Sequence, residues 1–249
     1  MKRTVIVGDI HGCLTELNEL LELVGFRGDE DALILLGDYF DRGPDSTGVL
    51  RLVRELAERH GAVALMGNHD EKYVRWHRWQ TTPPPPGSKP MTFPEEKARV
   101  YAQLTPAELD WLAARPYYHQ GDGFLAVHAG ISPLKHRTTE ELMRNRESRS
   151  LLVRIRQVDA QGNALKLGDV HPPDVRPWWH DYDGRFGVVF YGHQHAPDVV
   201  QGRFSVGLDT GCCFGGNLTA AVFSRLDEVT FLSVKARSNY HPTHEEEAD

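Results

Sequence analysis

The sequence predicts an α/β fold whose N-terminal part contains parallel strands joined by helices. In the first 70 residues, short apolar segments of strand character alternate with longer segments whose leucines and valines recur at helical spacing. Three of the apolar segments end in glycine followed directly by aspartate or asparagine. Strand–helix alternation favours parallel pairing, and open α/β sheets bind ligands beyond the carboxyl ends of their strands. We therefore expect a ligand site at that edge.

The first strand–helix unit occupies residues 4–25. Its β-branched segment, 4–7, predicts a short strand that ends at Gly8-Asp9. A helix is predicted next, because five apolar residues share one helical face and Gly25 follows where a helix would stop. The residues of that face are Leu14, Leu17, Leu20, Leu21 and Val24.

The second and third strands repeat this pattern. Residues 32–36 predict a buried strand that leads to Asp38, and residues 62–66 predict another that leads to Asn68. The segment between them predicts a helix closed by Gly61. Its apolar face consists of Val49, Leu50, Leu52, Val53 and Leu56.

The middle of the chain is more irregular. The proline-rich segment 81–94 predicts an extended surface loop. Capping boxes that begin at Thr105 and Thr138 predict two helix starts. Between them, residues 124–127 predict a strand that ends at His128.

The last third of the chain is predicted to be rich in β-strands. Gly162-Asn163 indicates a turn between two short strands. The segment from about residue 238 to 249, which ends in acidic residues, is predicted to be a disordered tail. The strands are predicted at Val188–Tyr191, Phe204–Leu208, Thr219–Arg225 and Val229–Val234.

Size and charge limit the classes of function. A length of 249 residues suits one large globular domain, or one domain with an inserted cap. The formal net charge of −7 counts against stable, sequence-independent binding to nucleic acid, which needs clustered lysine and arginine. A small phosphorylated metabolite, a nucleotide or a phosphoprotein remains open as the substrate, and the sequence leaves the oligomeric state open.

Cysteine usage predicts a cytoplasmic protein. The cysteines Cys13, Cys212 and Cys213 are odd in number and include an adjacent pair, which argues against a disulfide framework. The apolar run after Lys2-Arg3 is too short for a signal peptide, and the chain contains no apolar stretch of membrane length.

Six polar side chains in or just after these strand ends are candidate metal ligands. They are Asp9 and His11 in GDIHG, Asp38 in GDYFDRG, Asn68 in GNHD, His128 in HAG and His193 in GHQH. Aspartate, asparagine and imidazole together suit manganese, iron, zinc or nickel better than calcium. Six ligands are too many for one metal that stays open to substrate. They fit two metals about 3.5–4 Å apart that share a carboxylate and activate a bridging water.

The five motifs, in this order, resemble the signature of the PPP-type metallophosphatases within the calcineurin-like phosphoesterases. The resemblance extends from Asp9 to Asp209, which is most of the chain. It implies two mixed β-sheets sandwiched between helices, with a small helical cap at about residues 77–120 in a single domain of residues 1–237. It also implies hydrolysis of a phosphoester or phosphoanhydride bond.

Two metal positions follow from the resemblance, residue by residue. One ion would be bound by Asp9 and His11 and the other by Asn68, His128 and His193, with Asp38 bridging them. Manganese is the ion expected first, with iron, zinc, nickel and cobalt as alternatives. The sequence does not determine the identity of the metal, because affinity order and cellular supply decide it.

The resemblance also assigns roles beyond metal binding. His69 would be the general acid, held by Asp41, because a carboxylate partner orients the ring and lets it carry a proton. Arg42 and Asn68 would contact the phosphate. A second phosphate-binding arginine is expected after HAG, and Arg154, Arg156 and Arg176 all remain open.

Two C-terminal segments narrow the resemblance. Residues 178–195 and 208–220 resemble bacterial diadenosine tetraphosphate hydrolases and the phosphatase domain of bacterial RNA-repair polynucleotide kinase-phosphatases, in which the aspartate matching Asp209 lies at the active site. The eukaryotic phosphoprotein phosphatases usually have His-Gly-Gly, Gly-Asn-His-Glu and Gly-His-Thr where this chain has HAG, GNHD and GHQH. The expected substrate is therefore a dinucleoside polyphosphate or related nucleotide, with a Ser/Thr/Tyr phosphoprotein as the alternative.

Simpler interpretations of the same residues stay open. Asp209 before Gly211 is also typical of a turn. Four tryptophans could form a base-stacking wall, although packing of the cap is favoured; they are Trp76, Trp79, Trp178 and Trp179. Processing of nucleic-acid ends is disfavoured by the acidic balance. A non-catalytic module is disfavoured because every expected ligand is present.

Overall fold

The computed structural model describes residues 2–82, 87–165 and 174–241. Its first sheet has five strands in the order β12-β11-β1-β2-β3. β1, β2 and β3 pair in parallel, whereas β11 pairs antiparallel with both β1 and β12. The strands are β1 (Arg3–Val7), β2 (Asp31–Leu35), β3 (Val63–Ala64), β11 (Asn217–Phe223) and β12 (Thr230–Lys235).

The second sheet also has five strands, in the order β4-β5-β8-β10-β9. β8 is parallel to both β5 and β10, while β4 and β9 are antiparallel edge strands. Its strands are β4 (Tyr118–Gln120), β5 (Phe124–Val127), β8 (Val188–Tyr191), β9 (Val200–Gln201) and β10 (Ser205–Gly207). A separate pair consists of β6 (Gln157–Val158) and β7 (Arg176–Pro177). The predicted α/β fold with two mixed sheets is confirmed.

Seven α-helices are present in the described residues, together with a 3₁₀ turn at Trp178–His180. Both capping boxes predicted from the sequence are present, at Thr105 and Thr138. Gly61 ends its helix in the left-handed conformation, with a φ of 68°. The helices are α1 (Leu14–Leu23), α2 (Ser46–His60), α3 (Asn68–Thr81), α4 (Glu95–Tyr101), α5 (Pro106–Ala113), α6 (Thr139–Leu142) and α7 (Arg146–Arg154).

The two sheets pack face to face with helices outside them. Side chains alternate along a strand, so Ile6 of β1 packs in a buried cluster with Phe124 and Phe190 of the second sheet. The neighbouring Val5 and Val7 point the other way and pack in a cluster that includes residues of α1 and α2. Similar alternation in the second sheet gives a third cluster, which includes residues of α7 and the 3₁₀ turn.

The helical cap is shorter than predicted. Helices α4 and α5 lie within the predicted range 77–120, but residues 118–120 form β4 and pair with β5 in the second sheet. The helical part of this segment therefore ends at Ala113. In the predicted loop 81–94, residues 83–86 lie outside the described part of the chain, and Thr81 is the last residue of α3.

The predicted start of a disordered tail at residue 238 is wrong. The Tyr240 backbone N–H donates to the Cys213 carbonyl at 3.0 Å, and the Tyr240 hydroxyl donates to Glu16 Oε1 at 2.8 Å. These hydrogen bonds hold the chain against α1 up to His241. The acidic residues 242–249 lie outside the described residues, so the tail itself stays a prediction. In the part of the chain that is described, no helix has the length and apolar character needed to span a membrane.

Candidate active site

The predicted site residues converge where the strands of both sheets end. Asp9, Asp38 and Asn68 follow β1, β2 and β3, while His128 and His193 follow β5 and β8. His11 is the sixth candidate ligand, and all six are less than 8% exposed to solvent. The topology therefore brings together side chains that are up to 184 residues apart in the sequence, as in the hydrogen bond from His193 to Asp9.

Asp38 lies at the centre of the cluster. Its Oδ2 is 3.4 Å from His11 Nε2, and its Oδ1 is 3.4 Å from His128 Nε2. Two groups of potential ligand atoms, each within 4.8 Å of one another, share this residue. One group is His11, Asp38 and His69, and the other is Asp38, His128 and His193. A carboxylate common to two groups is the arrangement that a bridging ligand requires.

Backbone carbonyls orient the imidazole rings. His11 Nδ1–H donates to the Phe40 carbonyl at 2.8 Å, and His128 Nδ1–H donates to the Leu36 carbonyl at 3.0 Å. Because a carbonyl only accepts, Nδ1 carries the proton and the Nε2 lone pair of each ring faces Asp38. Burial lowers the pKa of both His11 and His193 well below the usual value. Neutral imidazole is the form that binds metal ions.

Asp9 and His193 present buried atoms with no protein partner. The His193 backbone N–H donates to Asp9 Oδ2 at 2.9 Å, but Asp9 Oδ1 and His193 Nε2 accept no hydrogen bond among the described residues. Buried polar atoms of this kind are rare and call for a bound partner. The donor set of carboxylate oxygens, an amide oxygen and imidazole nitrogens fits divalent cations.

The position of Asp9 differs in one respect from the predicted pairing with His11. Asp9 belongs to neither of the two ligand groups that share Asp38, and its carboxylate contacts the loop of His193. Burial, followed by the charges of Asp209 and Asp38, raises the pKa of Asp9 well above its usual range. Crowding of three carboxylates is the electrostatic condition that a bound cation relieves.

His69 and Asp41 form a direct pair beside this cluster. His69 Nδ1 lies 2.5 Å from Asp41 Oδ2, and the ring edge of His69 faces His11. Asp41 also accepts from the Tyr73 hydroxyl at 2.8 Å and from the buried Lys97 ammonium. Burial raises the pKa of Asp41, but the hydrogen bonds and charges of His69 and Lys97 outweigh it and hold that pKa well below the ordinary value.

Three residues of this arrangement were not identified from the sequence. Asp70, the last residue of GNHD, accepts the backbone N–H groups of Asp38, Tyr39 and Gly67, each at 2.8 Å. Its position in the GNHD motif could have identified Asp70 from the sequence. No sequence motif indicates Tyr73 or Lys97, which lie 32 and 56 residues from Asp41 in the sequence.

Arg42 and Asp209 border the cluster. Arg42 Nη1 donates to His11 Nε2 at 2.9 Å, and its guanidinium lies 5.1 Å from the centre of the Phe214 ring. Asp209 is buried, and its Oδ1 accepts from the Gly211 N–H at 3.0 Å, as expected of a turn residue. Burial raises the pKa of Asp209, and the charges of Arg42 and Asp38 also act on it. Asp209 therefore stabilises a turn and also lies within electrostatic reach of the cluster.

The three candidate arginines after HAG are in different environments. Arg176 forms an exposed ion pair with Asp181 at 2.7 Å, and Arg154 pairs with Glu71 at 2.7 Å. Arg156 lies closer to the cluster: its charge is the largest contribution after burial to the lowered pKa of His193.

Three of the four candidate tryptophans, Trp76, Trp178 and Trp179, pack against other parts of the protein. Trp178 is fully buried and donates from Nε1 to the Ala129 carbonyl at 3.1 Å. Trp179 stacks on Tyr191, and Trp76 stacks on Phe93.

Strained backbone is concentrated in the motifs. Five described residues other than glycine have positive φ, and all belong to the motifs. Such conformations cost about 1–3 kcal/mol each and persist where the surroundings enforce them, typically at active sites. They are His11 (46°), Asp38 (53°), Asp41 (71°), Arg42 (69°) and His193 (67°). A Cβ at Gly192 would lie 1.9 Å from Asp9 Oδ1, so only glycine fits there.

A two-sheet α/β fold with carboxylates and imidazoles clustered at the strand ends defines a metallophosphoesterase. The family model described as calcineurin-like phosphoesterase matches residues 2–197. The chain belongs to this family, whose members are metal-dependent hydrolases of phosphoester or phosphoanhydride bonds.

The chain is similar to curated bis(5'-nucleosyl)-tetraphosphatases. It is 31% identical to the asymmetrical enzyme PrpE of Halalkalibacterium halodurans, over 93% of each chain. It is 30% identical to the symmetrical enzyme of Vibrio campbellii, over 87% of this chain and 93% of the relative. A crystal structure described as a candidate diadenosine tetraphosphatase has a TM-score of 0.74 at 26% identity and covers 94% of each chain.

A cold-active protein tyrosine phosphatase shares the fold. Its TM-score is 0.59 at 15% identity, covering 96% of this chain and 80% of that one.

Proposed function

We propose that this protein hydrolyses a phosphoanhydride bond of dinucleoside polyphosphates or related nucleotides, with two divalent metal ions. The observation that carries the chemistry is the pair of ligand groups sharing Asp38, together with the unpartnered buried atoms of Asp9 and His193. The substrate class rests on the relatives, several of which are named bis(5'-nucleosyl)-tetraphosphatases.

The protein would hold the two ions through the six residues predicted from the sequence. Asp9 and His11 belong to one position, Asn68, His128 and His193 to the other, and Asp38 to both. Bound ions supply a water-derived nucleophile at neutral pH and offset the charge of the phosphate. Manganese is the ion proposed first, with iron, zinc, nickel and cobalt as alternatives, because the mixed oxygen and nitrogen donor set can bind any of them.

The side chains perform the remaining tasks. During hydrolysis the bond between phosphorus and the leaving oxygen breaks, and that oxygen needs a proton. His69 can give the proton from Nε2, because its Nδ1 is held by Asp41 at 2.5 Å. Tyr73 and Lys97 fix Asp41 in turn.

The phosphate itself would be bound by Arg42 and Asn68. Arg156 is the second phosphate-binding arginine in this proposal, because its charge is the largest influence after burial on the pKa of His193. Its guanidinium would offset the charge that develops on the phosphoryl oxygens. Asp209 would help to hold Arg42 by charge.

The proposal is tested by comparing kcat/KM for diadenosine tetraphosphate and a phosphothreonine peptide with manganese present. A strong preference for the nucleotide supports the proposal. A preference for the peptide refutes it and makes the protein a phosphoprotein phosphatase; the likeness to the tyrosine phosphatase shows only the fold and favours neither result. Product analysis separates the two named modes, because symmetrical cleavage gives two ADP and asymmetrical cleavage gives ATP and AMP.

A cytoplasmic location is also part of the proposal. Cys13, Cys212 and Cys213 are all free and buried. Unpaired cysteines are typical of a reducing compartment. Cell fractionation tests this location.

A further inference from the structure

A basic cavity of about 1000 Å³ lies between α3 and α7. The whole chain has a formal charge of −7, so a local excess of positive charge stands out. Six arginines line the cavity: Arg75, Arg78, Arg146, Arg149, Arg154 and Arg156. We call this cavity the arginine cleft.

The acidic residues of the cleft do not neutralise it. Glu71 is already bound by Arg154 at 2.7 Å and by the Tyr117 hydroxyl at 2.9 Å, and Glu147 is bound by Lys135 at 2.6 Å. Four of the arginines have no acidic partner within 4 Å among the described residues. These are Arg75, Arg78, Arg146 and Arg149.

The α3 wall of the cleft begins at the candidate active site. Asn68 is the first residue of α3, and Glu71, Arg75 and Arg78 follow at the spacing of one helical face. At 1.5 Å per residue, Arg75 and Arg78 lie about 10 and 15 Å along the helix from Asn68.

The α7 wall is joined to the loop of His128. The Ala129 N–H donates to the Leu152 carbonyl at 2.8 Å, and the Trp178 N–H donates to the Arg156 carbonyl at 3.2 Å. Trp178 Nε1 in turn donates to the Ala129 carbonyl at 3.1 Å. The two walls of the cleft are therefore anchored at the segments that carry Asn68 and His128, and Arg156 of the cleft acts by its charge on His193.

We propose that the arginine cleft binds the phosphates of a polyphosphate chain that lie beyond the phosphate under attack. This inference rests on the proposed function, because it concerns the substrate of the same site. Guanidinium groups bind phosphate oxygens in pairs of hydrogen bonds, and a series of them along two walls matches a chain of phosphates. The cleft thereby selects polyphosphate substrates over single phosphomonoesters. Its bounded volume suits a short polyanion, within the range of cavities that bind small ligands.

The test compares two probes by isothermal titration calorimetry on the manganese-loaded protein. One probe is orthophosphate, and the other is a triphosphate analogue with methylene groups as bridges, which cannot be hydrolysed. In the double variant Arg146→Gln/Arg149→Gln, the Kd of the analogue should rise about tenfold or more, the loss expected from one charge-assisted hydrogen bond. The Kd of orthophosphate should change far less, because that ion needs only the metal-ligand cluster.

A matched control removes two arginines at the opposite end of the first sheet. Arg27 donates its backbone N–H to Asp31, at the start of β2, and Arg225 follows Phe223, which pairs with Thr4. The double variant Arg27→Gln/Arg225→Gln should leave both Kd values at the wild-type level. A second variant, Arg75→Gln on the α3 wall, should also raise the Kd of the analogue.

Two results overturn the inference: an unchanged Kd for the analogue in folded variants of both walls, or an equal rise for both probes. The outcome is separable from that of the proposed function. If the wild-type protein binds the analogue through the cleft but does not hydrolyse diadenosine tetraphosphate, the proposed substrate is refuted, whereas phosphate binding in the cleft is supported.

Discussion

Lys97 is a buried cation on α4 whose removal tests the support of the His69–Asp41 pair. The side chain is 2% exposed and its ammonium donates to Asp41 Oδ2. The variant Lys97→Met keeps most of the length of the side chain and removes the charge. Removing one partner of a buried ion pair costs about 3–5 kcal/mol. Because Asp41 retains its bonds to His69 and Tyr73, we expect a smaller loss of about 2–3 kcal/mol.

A loss of this size corresponds to a lower Tm of about 5–10 °C in a chain of this length. Loss of the ammonium also removes one of the groups that fix Asp41, so His69 is oriented less precisely and kcat should fall about tenfold or more. Differential scanning calorimetry and steady-state kinetics with saturating manganese measure the two effects. The control is Arg99→Met, which removes an exposed cation from the same helix. If both variants keep wild-type Tm and kcat, Lys97 does not support the pair and the reasoning is wrong.

Three further predictions address the candidate ligands, the general acid and an ion pair of the fold. His69→Asn should leave metal content unchanged and lower turnover by about 10²–10⁴-fold; wild-type turnover would contradict its role. Asp38→Asn should reduce occupancy at both metal positions, measured by elemental analysis after dialysis, and full retention of two ions would exclude a bridging role. Asp31 is bound by Arg3 at 2.6 Å, which lowers its pKa in the folded protein. The stability from this carboxylate is therefore present above its unfolded pKa of about 3.9 and lost as pH falls through the lower folded value. Asp31→Asn should cost about 1–3 kcal/mol at pH 7 and much less near pH 2, in urea unfolding at both pH values; an equal loss at both would refute the assignment.

The sequence predicts those parts of the site whose signals are local. The strands before Asp9, Asp38 and His128 are apolar and short, and the residues that end them are polar, so strand and ligand are identified together. The capping boxes at Thr105 and Thr138 are equally local, because every group they need lies within four residues.

Signals that depend on tertiary packing were missed. Lys97 lies on α4 near the exposed Glu96 and Arg99, where a lysine is ordinarily exposed, and the position of α4 against Asp41 buries it. The proposal of Arg156 over Arg154 and Arg176 depends on its proximity in space to His193, which follows a different strand. The order of residues 238–241 depends on Glu16, more than 200 residues earlier.

Asp70 connects the stability of the fold to the geometry of the candidate metal site. Asp38 has a left-handed backbone with a φ of 53°, which costs about 1–3 kcal/mol for a residue with a side chain. The carboxylate of Asp70 accepts the N–H groups of Asp38, Tyr39 and Gly67, which hold the loops after β2 and β3 together. Three hydrogen bonds at about 0.5–1.5 kcal/mol each are together enough to offset the strain. The fourth residue of GNHD thus helps to keep Asp38 directed at His11 and His128.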